Sequence, residues 1–267
     1  MDRRIFLQQS SMVALAAGLG VSCSKRSLKS HVLSLSFDDG FKKSFYQVAD
    51  IHEEFGLSAC LNVIASGHLP EFKGVGEFVR PEQMGDFEDW NALVARGHEV
   101  MPHTWEHLKL TEVPLELAKE NIHKCFDYFE ANLDGYDPSQ AVYNFAFNAS
   151  NPELEALCLE RCRAVRTGGW MMLKNTKYHT LPVSRESLHL GCWAQGPDYC
   201  DDWMEAEVQS FLASEGGWLI LNLHGLDGEG WGPLHSDYLR EFLRRMVNVE
   251  KLDVLPTGRV IKEYLEA

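Results

Sequence analysis

After residue 30 the apolar positions of the chain switch repeatedly between two periods. Short runs at 31–37, 58–64, 98–101, 141–147, 164–166, 188–193, 218–223 and 252–255 read as strands. The first of them interrupts its apolar residues only with serine, as a strand buried on both faces does. Between these runs lie segments that read as helices, over 42–55, from 81 to 96, and over 114–133, 152–163, 203–213, 237–247 and 258–265. Gly56, Gly97 and Gly135 follow three of them, as residues that adopt the left-handed conformation at a helix end, and Pro114 sits where another begins. Regular alternation of strand and helix implies parallel strands joined by right-handed crossovers. Seven or eight such units favour a closed or nearly closed barrel over an open sheet, so the predicted class is α/β.

The first strand runs directly into Asp38, Asp39 and Gly40. Functional residues of α/β folds sit where strands end and loops begin, which places both carboxylates where a site would be built. An Asp-Asp-Gly turn capping the next helix has the same sequence, so the pair alone does not decide. The third strand leads into His103-Thr-Trp-Glu-His107. On a helical turn, imidazoles four apart share a face and reach one metal ion, although such a pair by itself is also the pattern of surface or core histidines. The preceding His98-Glu99 resembles a metalloprotease His-Glu-x-x-His motif, but the spacing to His103 is five and Pro102 interrupts any helix. A third apolar run, Trp218-Leu-Ile-Leu-Asn-Leu-His224, ends in a histidine facing the same mouth. Asp, His and His together form a three-ligand metal set that leaves a position for water.

Ser-Phe-Asp-Asp-Gly, His-Thr-Trp-Glu-His and Leu-Asn-Leu-His, in this order across most of the chain, resemble the signatures of the polysaccharide deacetylases, carbohydrate esterase family four. The resemblance implies a distorted (β/α) barrel of seven or eight parallel strands and a divalent metal, zinc first, held by Asp39, His103 and His107. It implies Asp38 as general base and His224 as general acid, with Leu223 lining the pocket for the acetyl methyl group. The residue types suit that chemistry: a metal with an open position lowers the pKa of its water, a carboxylate takes the proton, and an imidazole protonates the departing nitrogen.

Two departures from the family pattern stand out. Where the family carries an Arg-x-Pro-Tyr type segment after the fourth strand, this chain has Tyr143-Asn-Phe-Ala-Phe147-Asn148, with no arginine to orient the base. Arg166, at the end of the next strand, either projects into the same mouth or is an ordinary solvated or structural arginine. The Asp-Trp element that supports the acid histidine is matched in type by Asp202-Trp203, yet this pair begins a helix. Asp198, Asp201 and Asp202 are equally loop and N-cap carboxylates. Phe147, Asn148, Arg166, Leu223 and Trp231 are the candidate substrate-binding residues. Trp105, Trp170 and Trp193 also fall in or near loops, where tryptophans stack on sugars or simply pack in the core.

The first thirty residues stand apart from this pattern. Arg3-Arg4 precedes a small-residue apolar run at 12–21, too short to span a bilayer, and then Cys23. That resembles a twin-arginine export signal over 1–30, with lipidation of Cys23 a possible membrane anchor, and leaves 31–267 as one catalytic domain. The expected location is outside the cytoplasm, periplasmic or at the cell envelope. The formal net charge is −14, and the leader holds Arg3, Arg4, Lys25, Arg26 and Lys29 against Asp2, so the domain is more acidic still. Nucleic acid and anionic lipid would be repelled. The seven cysteines contain no Cys-x-x-Cys; Cys158 and Cys162 read as buried, and Cys192 with Cys200 is the nearest candidate disulfide in an exported protein. The expected function is metal-dependent removal of acetyl groups from an N- or O-acetylated carbohydrate. The alternatives are hydrolysis of another non-peptide C–N bond on this scaffold, or a metal-retaining carbohydrate-binding protein with little catalysis.

Overall fold

The computed structural model describes residues 28–184 and 188–265. Residues 1–27 of the segment expected to be an export signal, Cys23 among them, lie outside the described residues. Among the described residues eight strands alternate with eight α-helices: β1 His31–Phe37, α1 Lys42–Glu53, β2 Cys60–Val63, α2 Phe87–Ala95, β3 Glu99–Pro102, α3 Leu115–Asn132, β4 Val142–Asn144, α4 Pro152–Leu159, β5 Ala164–Gly168, α5 Gly169–Met172, β6 His189–Cys192, α6 Asp201–Leu212, β7 Gly217–Leu223, α7 Ser236–Met246, β8 Leu252–Val254 and α8 Thr257–Tyr264. Lys29 already belongs to this body, since its N–H donates to Tyr264 Oη at 3.0 Å.

Every strand pairing is parallel. One sheet runs β3-β2-β1-β7 and the other β4-β5-β6. β1 is the axis: β7 pairs with its whole length, while β8 pairs with residues 31–33 and β2 with residues 36–37. The two sheets form a distorted (β/α) barrel whose seams lack regular ladders. At the β6–β7 seam, Trp193 N–H donates to Ile220 O and Asn222 N–H to Trp193 O. At the β3–β4 seam the link is made by side chains, Asn144 Nδ2 donating to Pro102 O at 3.2 Å and His103 Nδ1 hydrogen-bonding Asn144 O at 2.9 Å.

The period-two pattern of β1 explains its place. Leu33, Leu35 and Phe37 pack in the main core with α1 and α7, while Val32 joins Trp218, Ile220, Val142, Ala164 and Leu190 in a second apolar cluster. Ser34 shares Val32's face and is satisfied there, donating to Leu255 O at 2.7 Å and accepting from Trp218 Nε1 at 2.9 Å.

Several sequence expectations change. The fourth strand, expected over 141–147, stops at Asn144, because Phe147 (φ 56°) and Asn148 (φ 50°) are both left-handed and no strand accommodates that. The helix expected to reach 163 ends at Leu159. His103 and His107 do not lie on a helical turn: Thr104 (φ 67°) and His107 (φ 59°) are left-handed, and Thr104 Oγ1 accepts the His107 N–H at 2.9 Å, so a tight loop brings the rings together. The Cys192–Cys200 disulfide does not form. All six described cysteines are free and buried, with Cys192 Sγ 3.2 Å from Thr167 O and Cys200 Sγ 3.0 Å from Gly232 O.

Candidate active site

The C-terminal ends of β1, β3 and β7 converge on a cavity of about 470 Å³ whose floor holds Asp38, Asp39, His103, His107, Asn222 and His224. Valines 75 and 79, Phe78, Phe147 and Trp231 are among its walls. Asp39 follows the strand in a left-handed conformation (φ 81°), rare for a residue with a side chain, and Gly40 continues it at φ 97°. This turn brings Asp39 Oδ1 to 3.4 Å from His103 Nε2 and 3.2 Å from His107 Nε2.

Those three atoms have the character of a cation site. Asp39 Oδ1 is buried and accepts no hydrogen bond, and the three donor atoms lie within 4.8 Å of one another. Ligand atoms about 2.0–2.1 Å from a tetrahedral ion stand roughly 3.3 Å apart, which matches the two measured separations. With Asn144 O accepting from Nδ1, His103 presents the lone pair of Nε2 to the cluster. A buried carboxylate facing two imidazole nitrogens fits a divalent ion, and nitrogen-oxygen donor sets of this size suit zinc. Burial pushes the Asp39 carboxyl up, but His103 and His107 outweigh it and hold it well below the ordinary carboxylate range.

Asp38 Oδ2 stands 3.6 Å from His103 Nε2, but its carboxylate is held from the barrel side, accepting Asn62 Nδ2 at 2.7 Å on Oδ1, and Asn222 Nδ2 at 2.7 Å and Arg166 Nη2 at 2.5 Å on Oδ2. Burial raises its pKa, and Arg166, His103 and His224 together bring it below the usual value. Arg166 is fully buried, so it is neither a solvated arginine nor a substrate-binding residue. It reaches the carboxylate from β5 where the family's arginine is missing after β4. The polar layer extends further: Asn62 Nδ2 also donates to Ser36 Oγ at 2.8 Å, Asn144 Nδ2 to Asn62 Oδ1 at 2.9 Å, and Asn148 Nδ2 to Asn222 Oδ1 at 2.9 Å.

The other candidates sort by position. Phe147, 51% exposed, stands with its ring 4.7 Å from that of His107, and Asn148 and Trp231 line the cavity with it. Leu223 does not line the pocket: alternation along β7 turns it into the core on the helix side and leaves Asn222 facing the cavity. His224 meets the edge of Trp231 at 5.6 Å, and its Nδ1 is buried without a partner. Burial lowers its pKa, opposed by Asp39 and Asp38. Asp202 and Trp203 lie in the first turn of α6, and Asp201 holds His235 Nδ1 at 2.5 Å. Trp105, Trp170 and Trp193 are absent from the cavity lining; Trp105 packs on Tyr128 and Trp170 is exposed. His98 and Glu99 are structural. His98 Nδ1 accepts Ala59 N–H, and Glu99 accepts the Gly258 and Arg259 N–H groups at the start of α8. Sequence reasoning passed over Asn62, Asn144 and Asn222, whose signal was a polar residue inside an otherwise apolar strand.

The family described as polysaccharide deacetylase matches residues 25–155, the part of the chain that carries Asp38, Asp39, His103 and His107. Over these 131 of its 267 residues the chain resembles the polysaccharide deacetylases. No curated protein matches it. Among solved structures, a protein of polysaccharide deacetylase type from Mycobacterium smegmatis superposes with a TM-score of 0.65 at 13% identity, covering 89% of this chain and 91% of that one. A pseudoenzyme of carbohydrate esterase family four from Bacillus anthracis follows at 0.54 and 9% (90% and 67% covered). A variant of a peptidoglycan deacetylase from Bacillus subtilis superposes at 0.52 and 16% (88% and 91% covered). At these identities the likeness is one of fold, and the chemistry of this chain rests on its own site.

Proposed function

We propose that the protein is a metal-dependent hydrolase that removes acetyl groups from an N- or O-acetylated carbohydrate, with Asp39, His103 and His107 as zinc ligands. The observation that carries this reading is the adjacency of two differently held carboxylates. Asp39 Oδ1 is left without a hydrogen-bond donor beside two imidazole nitrogens, while Asp38 accepts three donors from Asn62, Asn222 and Arg166. A bound divalent ion would polarise the acyl carbonyl and lower the pKa of water towards about 7.

The protein's own groups supply the proton transfers. Asp38, kept ionised by three donors and lining the cavity, is in the form a general base requires. Asn62, Asn222 and Arg166 fix its oxygens, so little reorganisation accompanies proton uptake. His224, from the neighbouring strand end, stands across the cavity to protonate the leaving nitrogen or oxygen. The walls of Phe78, Phe147 and Trp231 exclude water and offer flat surfaces to a sugar ring. With two carboxylates lining the cavity and no lysine or arginine among its lining residues, a neutral or cationic substrate suits it better than an anionic one. Export directed by the N-terminal segment belongs to the same proposal, since polymeric acetylated sugars lie outside the cytoplasm.

The test is acetate release from acetylated chitin, peptidoglycan and xylan fragments, by protein loaded with zinc and by protein stripped with a chelator. Zinc-dependent acetate from any one substrate is the expected result and identifies the sugar. A loaded protein that releases none from all three refutes the assignment.

A further inference from the structure

Asn148 borders the cavity, yet its side chain is committed to the protein itself. Its Nδ2 donates to Asn222 Oδ1 at 2.9 Å, and its Oδ1 accepts from the Cys192 thiol at 3.2 Å. Asn222 Nδ2 in turn donates to Asp38 Oδ2 at 2.7 Å. Side chains from the end of β6, the loop after β4 and β7 thus form one line of hydrogen bonds that finishes on the carboxylate.

That line has one workable direction. An ionised carboxylate accepts and cannot donate, so Asn222 must turn its NH2 group to Asp38 and its carbonyl to Asn148. Asn148 must then give its own NH2 group to that carbonyl and its carbonyl to Cys192, whose thiol is the donor at the far end. Burial pushes the Cys192 thiol up to about 11, so it keeps the proton this end requires.

Reaching this place strains the backbone. Phe147 (φ 56°) and Asn148 (φ 50°) are consecutive left-handed residues, and asparagine is one of the few types with a side chain that visits this region readily. The turn is fastened by Thr167 Oγ1 donating to Asn148 O at 2.7 Å and by Asn148 N–H donating to Phe145 O at 3.1 Å. Such conformations persist where surrounding contacts over-determine them, and they gather at functional sites. Here the strained turn delivers one amide to Asn222, from the same loop that lacks an arginine for the base.

We propose that Asn148 is a positioning residue: it fixes which way the Asn222 amide faces, and so gives Asp38 a donor instead of an opposing carbonyl. This rests on the deacetylase reading, in which Asp38 is the base, and adds a residue that acts on that base through another side chain. Turning the Asn222 amide over would set Oδ1 against a buried carboxylate, two acceptors with no proton between them.

The experiment is a double-mutant cycle on the zinc-loaded full chain. It reads kcat and KM on whichever of the acetylated chitin, peptidoglycan or xylan fragments is hydrolysed, and the urea midpoint of every variant. Asn148→Ala should lower kcat about tenfold with KM within about twofold, the size of a lost hydrogen bond to a charged group. In an Asn222→Leu background the same change should move kcat by less than about twofold, because the side chain it acts through is gone. Asn148→Asp keeps the shape and the tolerance of left-handed backbone, and serves if Asn148→Ala does not fold. It offers Asn222 only acceptors, so it should lower kcat further than Asn148→Ala, and that excess should also vanish with Asn222→Leu. The urea midpoints carry the same logic without turnover: the double variant should lose less than the two single losses added together. Additive effects on kcat, the mark of a direct substrate contact, overturn the proposal. An Asn148→Asp excess that survives Asn222→Leu, the mark of a through-space charge, or additive midpoints do the same. The two readings fail separately: a wild-type protein that hydrolyses no fragment loses the deacetylase assignment and leaves the midpoints to decide the coupling. An active one with additive effects loses only the positioning role.

Discussion

The barrel interior has two halves with opposite chemistry. Towards the N-terminal ends of the strands it is filled by Val32, Val142, Ala164, Leu190, Trp218 and Ile220, all nearly or fully inaccessible to water. Towards the C-terminal ends, on the same strands, the buried side chains are Ser36, Asp38, Asn144, Arg166 and Asn222, with Asn62 from β2 beside them. β7 shows the contrast in one element, Trp218 and Ile220 giving way at the next inward position to Asn222. The apolar half stabilises by burial at about 25 cal/mol per Å². The polar half offers no such gain, because an ion pair and amides taken out of water roughly break even at best. Its gathering around one carboxylate makes sense if Asp38 must be held ionised and still.

This contrast can be broken from either side. The largest effect is expected from Arg166→Met, which strands the buried Asp38 carboxylate without its cation: destabilisation of about 3–5 kcal/mol in urea melts, together with loss of turnover. Trp218→Ala, in the apolar half, should cost a similar ~3–5 kcal/mol, while the kcat of the folded fraction stays within about twofold. If Trp218→Ala instead lowers kcat as deeply as Arg166→Met does, the two halves are not functionally separate. Asn222→Leu removes one of three donors to Asp38 and should cost about 1–3 kcal/mol of stability, with kcat reduced more than KM changes.

The smallest effect lies outside the barrel, at the pair of Glu205 with Arg245. Hydrogen bonding to Arg245 lowers the Glu205 pKa from 4.5 to about 2, against a weaker opposing push from burial. Its folded-state pKa is depressed, so its contribution is complete above pH 4.5 and disappears as the pH falls towards 2. Being partly exposed, the pair is worth only ~0.2–1 kcal/mol, measurable as a difference in acid unfolding between wild type and Glu205→Gln.

The sequence carried the reactive residues more clearly than what holds them. Asp38, Asp39, His103 and His224 are legible because each follows directly on a strand end, and strand ends meet at one mouth whatever the local details; His107 is legible only by its spacing from His103. The route was partly wrong for the histidines, which converge through a left-handed loop at Thr104 and His107 and not through helical spacing. Nothing in a threonine or histidine announces a positive φ, and the same holds for Phe147 and Asn148. Arg166 was ambiguous because its partner lies 128 positions away in the chain. The family resemblance points to Leu223 for the pocket, whereas the alternation of β7 gives that place to Asn222, a polar residue whose burial requires partners.

The central claim is that two adjacent aspartates have different jobs, one holding a metal and the other a proton. Calorimetric titration of the chelated protein with zinc tests it most directly. The account predicts one ion per chain in the wild type, loss of that binding in Asp39→Ala, and its retention in Asp38→Asn, which nevertheless releases no acetate. Zinc binding that survives Asp39→Ala, or that is lost equally in both variants, would contradict it.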